Sequence, residues 1–234
     1  MLTAILFDLD GTLANTDPIH YQVWADLLQA FSITLTPEFY NSHISGRKNR
    51  DLMVDLFPDW PVHKIDQFSD YKEELFREQA AAKLAPVPGL LDFLDWIEAQ
   101  GLRRGVVTNA PRANAEFMLA TLGLSDRFET LVIGEEATAA KPDPAPYLLG
   151  LKNLGQDPAN RAKTEQNVVT AIAFEDSRTG VQSASRAGLY TVGLTTTHGA
   201  AELEKAGAVV TLPDFQSVLE LSPIQDFLAY TQQS

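Results

Sequence analysis

The sequence predicts an α/β fold in which helices cover both faces of a mostly parallel β-sheet, with a small all-helical domain inserted after the first strand. Three features of the 234-residue chain predict it. A short apolar run near the N-terminus stops at an acidic turn beginning with Asp8. From Thr16 to Leu84 the apolar residues recur at helical spacing and form no strand pattern. After the Pro86–Gly89 turn, helical segments alternate with short apolar runs, which implies right-handed βαβ crossovers and a parallel sheet.

The first elements follow from a change in the spacing of apolar residues. Ala4–Phe7 is a short apolar run with polar neighbours, which is typical of a buried strand. From Ile19 onward, Ile19, Val23 and Leu27 recur every fourth residue and predict an amphipathic helix. Further helices are expected at Pro37–His43, Arg47–Leu56 and Asp66–Ala82.

The second part of the chain predicts five more strands with helices between them. Apolar runs indicate strands at Gly105–Thr108, Leu131–Ile133, Val168–Phe174, Tyr190–Leu194 and Ala208–Val210. Helical spacing indicates helices at Leu90–Ile97, Ala113–Leu122, Pro146–Leu154, Thr179–Ala187 and Glu202–Ala206. The polar segment 160–167 is interpreted as a solvated loop. We therefore expect a catalytic core domain of residues 1–15 and 86–234 and a helical domain of residues 16–85.

The composition excludes several kinds of site and partner. Eighteen lysine and arginine residues stand against 31 aspartate and glutamate residues, a formal net charge of −13 that repels polyanions. Binding to nucleic acid or to an anionic membrane is therefore not expected. The chain has no cysteine, so a metal would be held by oxygen atoms or by the four histidines. No signal-peptide pattern or membrane-spanning run is present, and we expect a cytoplasmic protein.

Asp8 and Asp10 form the first candidate chemical site. At the end of an extended strand, two acids separated by one residue point to the same side, and Gly11 then lets the backbone turn away. Two converging acids are costly unless they share a cation or a proton, as in metal-assisted acid–base chemistry. An Asx-type turn is the structural alternative. A calcium-binding EF-hand loop does not fit, because Thr12 and Leu13 occupy positions that need a ligand and a glycine.

Three further strand ends carry polar residues. The Thr108 hydroxyl and the Asn109 backbone amide precede a helix and form a candidate oxyanion cradle. Lys141 follows the third strand and would neutralise a phosphoryl group or a carboxylate. Glu175 and Asp176 lie where a buried strand meets a helix. Each has an ordinary alternative, namely a helix cap, a solvated lysine, or acids at a helix N-terminus. Four such ends in succession favour one shared site.

These segments resemble the haloacid dehalogenase superfamily of phosphohydrolases, in the branch whose helical cap is inserted after the first strand. That branch includes β-phosphoglucomutase and small sugar-phosphate and phosphoglycolate phosphatases. The resemblance implies a Rossmann-like core with a helical cap domain. The matching motifs, in the family's order, are Asp8-Leu-Asp10-Gly-Thr12-Leu13, Thr108-Asn109, Lys141-Pro142 and Glu175-Asp176-Ser177.

The resemblance also implies a role for each core residue. Asp8 would attack phosphorus and form an aspartyl-phosphate, while Asp10 would act as general acid and then as general base. Mg²⁺ would be held by the carboxylates of Asp8 and Asp176, by the backbone carbonyl of Asp10, and by Glu175 directly or through water. The groups that would stabilise the phosphoryl oxygens in the transition state are Thr108, the Asn109 backbone amide and Lys141.

The helical domain would supply specificity and exclude water. For Arg47, the alternative to a substrate contact is a surface ion pair. For His20, the alternative is ordinary helix packing. The remaining histidines show no partner pattern and are interpreted as structural. The candidate substrate contacts are Thr16, His20, Gly46 and Arg47, and the histidines interpreted as structural are His43, His63 and His198.

The leading hypothesis is a Mg²⁺-dependent phosphatase, monomeric or homodimeric, acting on a small phosphorylated metabolite such as a sugar phosphate or phosphoglycolate. A phosphomutase of the β-phosphoglucomutase kind would use the same residues, and the sequence does not separate the two. A non-catalytic protein that binds phosphorylated metabolites is disfavoured by the intact set of Asp8, Asp10, Lys141 and Asp176. Dehalogenation is disfavoured by Asp10, because a halide leaves without needing a proton.

Overall fold

The computed structural model describes residues 2–45, 47–156 and 170–231. Contacts within the chain divide it into two compact units. We call Met1–Asn15 with Ala85–Ser234 the core unit, and Thr16–Leu84 the helical unit. Gly46 and the polar segment 160–167 lie outside the described residues, so the interpretation of that segment as a solvated loop stays a prediction.

Six parallel strands form the sheet of the core unit within the described residues. They are β1 (Ala4–Phe7), β2 (Arg103–Thr108), β3 (Thr130–Ile133), β4 (Ala171–Glu175), β5 (Tyr190–Leu194) and β6 (Val210–Leu212). The order across the sheet is β3-β2-β1-β4-β5-β6. It confirms the predicted Rossmann-like α/β architecture. The strand order reverses between β1 and β4, and ligands of open α/β sheets bind at that reversal.

β1 lies at the centre of the sheet and pairs in parallel with both β2 and β4. All four of its residues are buried, as expected for a strand covered by helices on both faces. The rings of Phe7 and Phe174, on neighbouring strands, stack with their centroids 5.4 Å apart. The hydrogen-bond ladder continues one residue further, because the Asp8 amide donates to the Phe174 carbonyl at 2.9 Å. The backbone of Asp8 is therefore fixed by the sheet.

The helical unit contains α1 (Asp17–Gln29), α2 (Pro37–Phe39), α3 (Asn49–Leu56) and α4 (Val62–Ala80), with a π-helical turn at Tyr40–Ile44. No strand occurs in residues 16–45 or 47–84, as the sequence predicts. Trp24 and Leu28 of α1 pack with Ile65 of α4 in the buried interior of this unit. The helix predicted to begin at Asp66 starts instead at Val62, directly after Pro61, which restricts the backbone in the manner typical of a helix start.

The helices of the core unit are α5 (Leu90–Ala99), α6 (Arg112–Thr121), α7 (Ala145–Asn153), α8 (Arg178–Arg186), α9 (Ala200–Ala206) and α10 (Ser222–Thr231). The sequence analysis missed α10, whose Phe227 packs edge-on against Trp96 of α5. The last strand begins two residues after its predicted start, because Gly207, with φ +120°, follows the end of α9 and two residues lead from there into β6. None of the helices in the described part of the chain combines the length and apolar character that a membrane span requires.

Candidate active site

The acidic residues of the core unit meet where β1 and β4 end side by side. Phe7 is aligned with Phe174 in the sheet, so the next residues along the two strands, Asp8 and Glu175, also lie next to each other. Asp176 follows at the turn into α8. Asp8, Glu175 and Asp176 are all buried, with 7%, 0% and 3% of their surfaces exposed. The predicted convergence of acids therefore occurs at the reversal point of the sheet.

Lys141 joins two of these acids. Its Nζ lies 2.6 Å from Oδ1 of Asp8 and 2.5 Å from Oε1 of Glu175, and it donates a third hydrogen bond of 2.7 Å to the Val107 carbonyl. Burial alone lowers the pKa of the Lys141 amine, but the charges of Asp8 and Glu175 outweigh burial and raise it above its ordinary value. Lys141 is therefore a charged, fully engaged ammonium group rather than a solvated side chain.

The three carboxylates lie close enough together to hold a metal ion. One oxygen from each of Asp8, Glu175 and Asp176 lies within 4.8 Å of the others. Hard divalent cations such as Mg²⁺ prefer oxygen ligands of this kind. Asp10, the fourth predicted ligand, is half-buried two residues beyond Asp8, and the cluster of side-chain oxygens does not include its carboxylate. The role predicted for Asp10 in metal binding uses its backbone carbonyl.

The charge balance of the cluster also fits a cation. Burial raises the pKa of Asp8 well above its ordinary value, with Lys141 acting in the opposite direction. Burial and the neighbouring Glu175 raise the pKa of Asp176 to about 8. Three buried carboxylates share one ammonium group, so the protein's own charges do not fully compensate them. A divalent cation would supply the positive charge that the cluster lacks.

Glu175 is held by neighbouring residues, of which Tyr147 was not connected with the site from the sequence. The Tyr147 hydroxyl donates to Oε1 of Glu175 at 2.7 Å, and Ser177 donates to Oε2 at 3.3 Å. Gly180 lets the first turn of α8 approach, since a Cβ there would lie 1.9 Å from Oε2. Tyr147 lies on the buried face of α7, six residues after Lys141. The only sequence signal for a role of Tyr147 in the site is its hydroxyl group among apolar neighbours.

The loop after β1 is tightly folded around Asp176. The Thr12 hydroxyl donates to Oδ1 of Asp176 at 3.3 Å. Gly11 has φ +75°, and its amide donates to the Ala14 carbonyl at 2.8 Å, so the chain turns back directly after Asp10. This backbone conformation favours glycine. The loop is thus joined to Asp176 by the hydrogen bond from Thr12, and the turn at Gly11 reverses the chain directly before Thr12.

Thr108 and Asn109 lie at the end of β2, next to β1. The Thr108 hydroxyl is buried and accepts a hydrogen bond from the Ala110 amide at 3.0 Å. The Asn109 side chain forms two hydrogen bonds of 3.2 Å with the backbone of Lys141, donating to its carbonyl and accepting from its amide. Gly134 leaves room for this amide, since a Cβ there would lie 2.4 Å from its Oδ1. The Asn109 side chain thus holds the backbone of Lys141 next to the end of β2.

Two of the predicted substrate contacts of the helical unit, His20 and Arg47, have partners within that unit. His20 on α1 lies with Nδ1 2.8 Å from Nζ of Lys72, and its ring stacks on Phe76 with centroids 4.0 Å apart. Arg47 is partly exposed and pairs with Asp55 at 2.7 Å. Thr16 is buried at the N-terminus of α1. Gly46 lies outside the described residues, and the substrate-binding roles of all four stay predictions.

Residues 5–194 match the family model of haloacid dehalogenase-like hydrolases. The chain belongs to this family. This membership confirms the resemblance that the core motifs indicated. The protein is therefore a hydrolase of the haloacid dehalogenase-like family.

Two named relatives of this hydrolase are similar over most of their length. The chain is 32% identical over 217 residues to validoxylamine A 7'-phosphate phosphatase from Streptomyces hygroscopicus subsp. limoneus, covering 90% of this chain and 93% of that protein. It is 31% identical over 201 residues to protein CbbY from Rhodobacter capsulatus, covering 82% and 84%.

A solved structure of the same family has a similar fold. It is a variant of CbbY from Rhodobacter sphaeroides in complex with xylulose-(1,5)bisphosphate. The TM-score is 0.73 at 25% sequence identity, and the match covers 92% of this chain and 95% of that one. The cluster of Asp8, Glu175, Asp176 and Lys141 therefore belongs to a hydrolase with one relative named as a phosphatase of a phosphorylated small molecule and one similar structure that contains a sugar bisphosphate.

Proposed function

We propose that the protein is a Mg²⁺-dependent phosphatase that hydrolyses a small phosphorylated metabolite, of the sugar phosphate or phosphoglycolate type, through an aspartyl-phosphate on Asp8. The observation that carries the proposal is the contact between Lys141 and Asp8, 2.6 Å long, at the centre of a buried acidic cluster. A carboxylate nucleophile needs a fixed direction of attack. Lys141 and the sheet together fix both the side chain and the backbone of Asp8.

In the first step, a carboxylate oxygen of Asp8 forms a bond to phosphorus as the bond from phosphorus to the leaving alkoxide breaks. Asp10 donates its proton to that alkoxide. In the second step, Asp10 removes a proton from water, the water oxygen attacks phosphorus, and the bond to Asp8 breaks to release phosphate. The two-residue spacing of Asp8 and Asp10 at one strand end supports this division of labour.

The residues proposed to hold Mg²⁺ are Asp8, Glu175, Asp176 and the backbone carbonyl of Asp10. When bound, a divalent cation neutralises charge on the phosphoryl group and orients it. Lys141 adds a second positive charge beside Asp8. The Thr108 hydroxyl accepts from the Ala110 amide and keeps its own hydrogen for a phosphoryl oxygen, next to the Asn109 backbone amide.

The proposal includes substrate contacts from the helical domain, for which the support is the sequence resemblance. The proposal also includes a cytoplasmic location and a monomeric or homodimeric state. The net charge of −13 supports only the further expectation that the protein binds neither nucleic acid nor anionic membranes. The residues proposed to contact substrate there are Thr16, His20, Gly46 and Arg47.

The test is release of inorganic phosphate from a panel of phosphorylated metabolites, with and without Mg²⁺. We expect turnover of one or a few small phosphate esters, loss of turnover in EDTA, and its return with Mg²⁺. Asp8→Asn abolishes turnover while the protein stays folded, and the matched variant Asp92→Asn, an exposed acid of α5, retains it. Full activity of Asp8→Asn contradicts the covalent mechanism. Interconversion of glucose 1-phosphate and glucose 6-phosphate without phosphate release identifies the phosphomutase alternative instead.

A further inference from the structure

The segment Thr195–His198, directly after β5, contacts the two strand ends that form the acidic cluster. The Thr196 hydroxyl donates to the Gly11 carbonyl at 2.5 Å, and the Thr197 side chain hydrogen-bonds to the carboxylate of Asp176. His198 lies with Nδ1 3.2 Å from the backbone carbonyl of Asp176. Three consecutive side chains therefore reach the loop after β1 and Asp176. The sequence analysis assigned no site role to this segment and interpreted His198 as structural.

The contacts at Gly11 show how closely these groups are packed. A Cβ on Gly11 would lie 2.0 Å from Oδ2 of Asp176 and 2.8 Å from Oγ1 of Thr197. The carboxylate, the hydroxyl and the Gly11 backbone therefore meet at one place, with Thr12 donating to the other carboxylate oxygen at 3.3 Å. The Asp176 side chain is held from several directions, which leaves it little freedom to rotate.

The contact of His198 fixes a different part of the same residue. Its partner is the Asp176 carbonyl, at the turn where the chain leaves β4 and enters α8. Nδ1 meets a carbonyl, which only accepts hydrogen bonds, so Nδ1 is the donor. This contact restrains the backbone of Asp176, whereas Thr197 restrains its carboxylate. Together they set both the origin and the direction of the side chain.

We propose that Thr197 and His198 are positioning residues that fix Asp176 in the orientation in which it binds the metal ion. The inference rests on the proposed metal-dependent function. Groups that hydrogen-bond to ligating carboxylates orient the ligands, and their mutation weakens metal affinity by about 10- to 100-fold. Neither residue touches the metal or the substrate in this assignment, and each acts through Asp176.

Two matched pairs of variants test the assignment. Thr197→Val keeps the shape of the side chain and removes the hydroxyl, whereas Thr197→Ser keeps the hydroxyl. His198→Leu removes the donor, whereas His198→Asn keeps an N–H donor at the δ position. Thr195→Val makes the same chemical change as Thr197→Val on the same segment, at a hydroxyl that contacts the Leu212 carbonyl.

Metal affinity is measured without substrate, by titrating Mg²⁺ in a calorimeter and Mn²⁺ by electron paramagnetic resonance. We expect the dissociation constant to rise about 10- to 100-fold in Thr197→Val and about 10-fold in His198→Leu. Thr197→Ser and His198→Asn stay within about threefold of the parent, as does Thr195→Val. The unfolding temperature in EDTA is measured for every variant, because loss of a hydrogen bond to a buried group also lowers stability. The dissociation constant is compared only among variants that are fully folded at the temperature of the titration.

An unchanged dissociation constant in Thr197→Val overturns the role of Thr197, and one in His198→Leu overturns that of His198. If Thr197→Val or His198→Leu fails to fold, Thr197→Ser and His198→Asn still test the assignment. Both keep the hydrogen-bonding group, so a dissociation constant raised more than threefold in either of them overturns the role of that residue. If the parent hydrolyses phosphate esters and binds metal, and the variants bind metal equally well, this inference is refuted and the proposed function is not. A parent that binds no divalent metal refutes the proposed function as well.

Discussion

The hydroxyl of Tyr147 donates a hydrogen bond of 2.7 Å to Oε1 of Glu175, the same oxygen that accepts from Lys141 at 2.5 Å. Burial and the negative charges of Glu175 and Asp8 raise the pKa of Tyr147 well above its ordinary value, so the phenol stays protonated and remains a donor. Glu175 is completely buried and depends on such donors. Tyr147 therefore stabilises the buried carboxylate of Glu175, the group that also accepts a hydrogen bond from Lys141.

Tyr147→Phe is expected to lower the free energy of unfolding by about 1.5–3 kcal/mol, the usual contribution of a hydrogen bond to a charged group. Chemical denaturation measures the change. Tyr71→Phe is the matched control, because Tyr71 is a half-exposed tyrosine of the helical unit. Equal stability of Tyr147→Phe and the parent would show that Glu175 does not depend on the phenol.

Gly180→Ala is expected to destabilise the protein by about 1–3 kcal/mol, although alanine is the better helix former. The added Cβ would lie 1.9–2.1 Å from the carboxylate of Glu175, which must move. Thermal unfolding measures the loss. Gly199→Ala provides the control, since a Cβ there meets nothing within 4 Å and φ is −69°. A stable Gly180→Ala protein contradicts the close packing of α8 against Glu175.

Mg²⁺ is expected to stabilise the protein against unfolding, because it binds the folded acidic cluster and not the unfolded chain. At a free concentration 100 times the dissociation constant, mass action raises the free energy of unfolding by about 2.7 kcal/mol. The unfolding temperature with and without Mg²⁺ measures this. Asp176→Asn reduces the shift, whereas Asp126→Asn, at an exposed acid, preserves it. An equal shift in both variants would place the cation elsewhere.

Glu73 is expected to give the helical unit an acid-sensitive contribution to stability. Burial raises the pKa of its carboxyl, but the charges of Lys72 and His20, with hydrogen bonds from Lys72 and Asn49, outweigh burial and hold the pKa below its ordinary value of 4.5. The folded state therefore binds fewer protons than the unfolded state between the lowered pKa and 4.5. The stabilisation is complete above pH 4.5 and is lost as the pH falls through the lowered pKa.

Denaturation from pH 7 to pH 3 measures the contribution of Glu73. In Glu73→Gln we expect a smaller loss of stability below pH 4.5 than in the parent, and a lower stability at pH 7. Glu74→Gln, at an exposed neighbour on α4, retains the parent profile. Identical acid profiles for Glu73→Gln and the parent would refute the prediction.

The sequence predicted the six strands and the meeting of acidic residues at their ends, whereas the chemical roles of those residues stay predictions. Ala4–Phe7 and Tyr190–Leu194 have the predicted bounds, because short apolar runs between polar turns have few other stable conformations. Asp8, Glu175 and Lys141 could be assigned to one place since parallel strands end at one edge of a sheet. A carboxylate partner for Lys141 was expected, but the identity of Glu175 as one of its partners comes from the structure.

Tyr147 and the Thr195–His198 segment could not be predicted in the same way. Tyr147 reaches the site from the middle of a helix, at a position where spacing predicts only burial. The Thr195–His198 segment follows β5, which carries no acid at its end, and its role depends on how that strand lies beside β4. Both depend on contacts between parts of the chain that are remote in sequence, to which local patterns carry no signal.

The amide of Asp8 donates to the Phe174 carbonyl within the central ladder of the sheet. Its hydrogen can exchange with solvent only when β1 separates from β4, an opening that approaches global unfolding in its free energy. We therefore expect the amide of the residue proposed to be the nucleophile to exchange slowly. An activity assay on variants of β1 will consequently report folding defects as if they were catalytic ones, and exchange at this amide distinguishes the two.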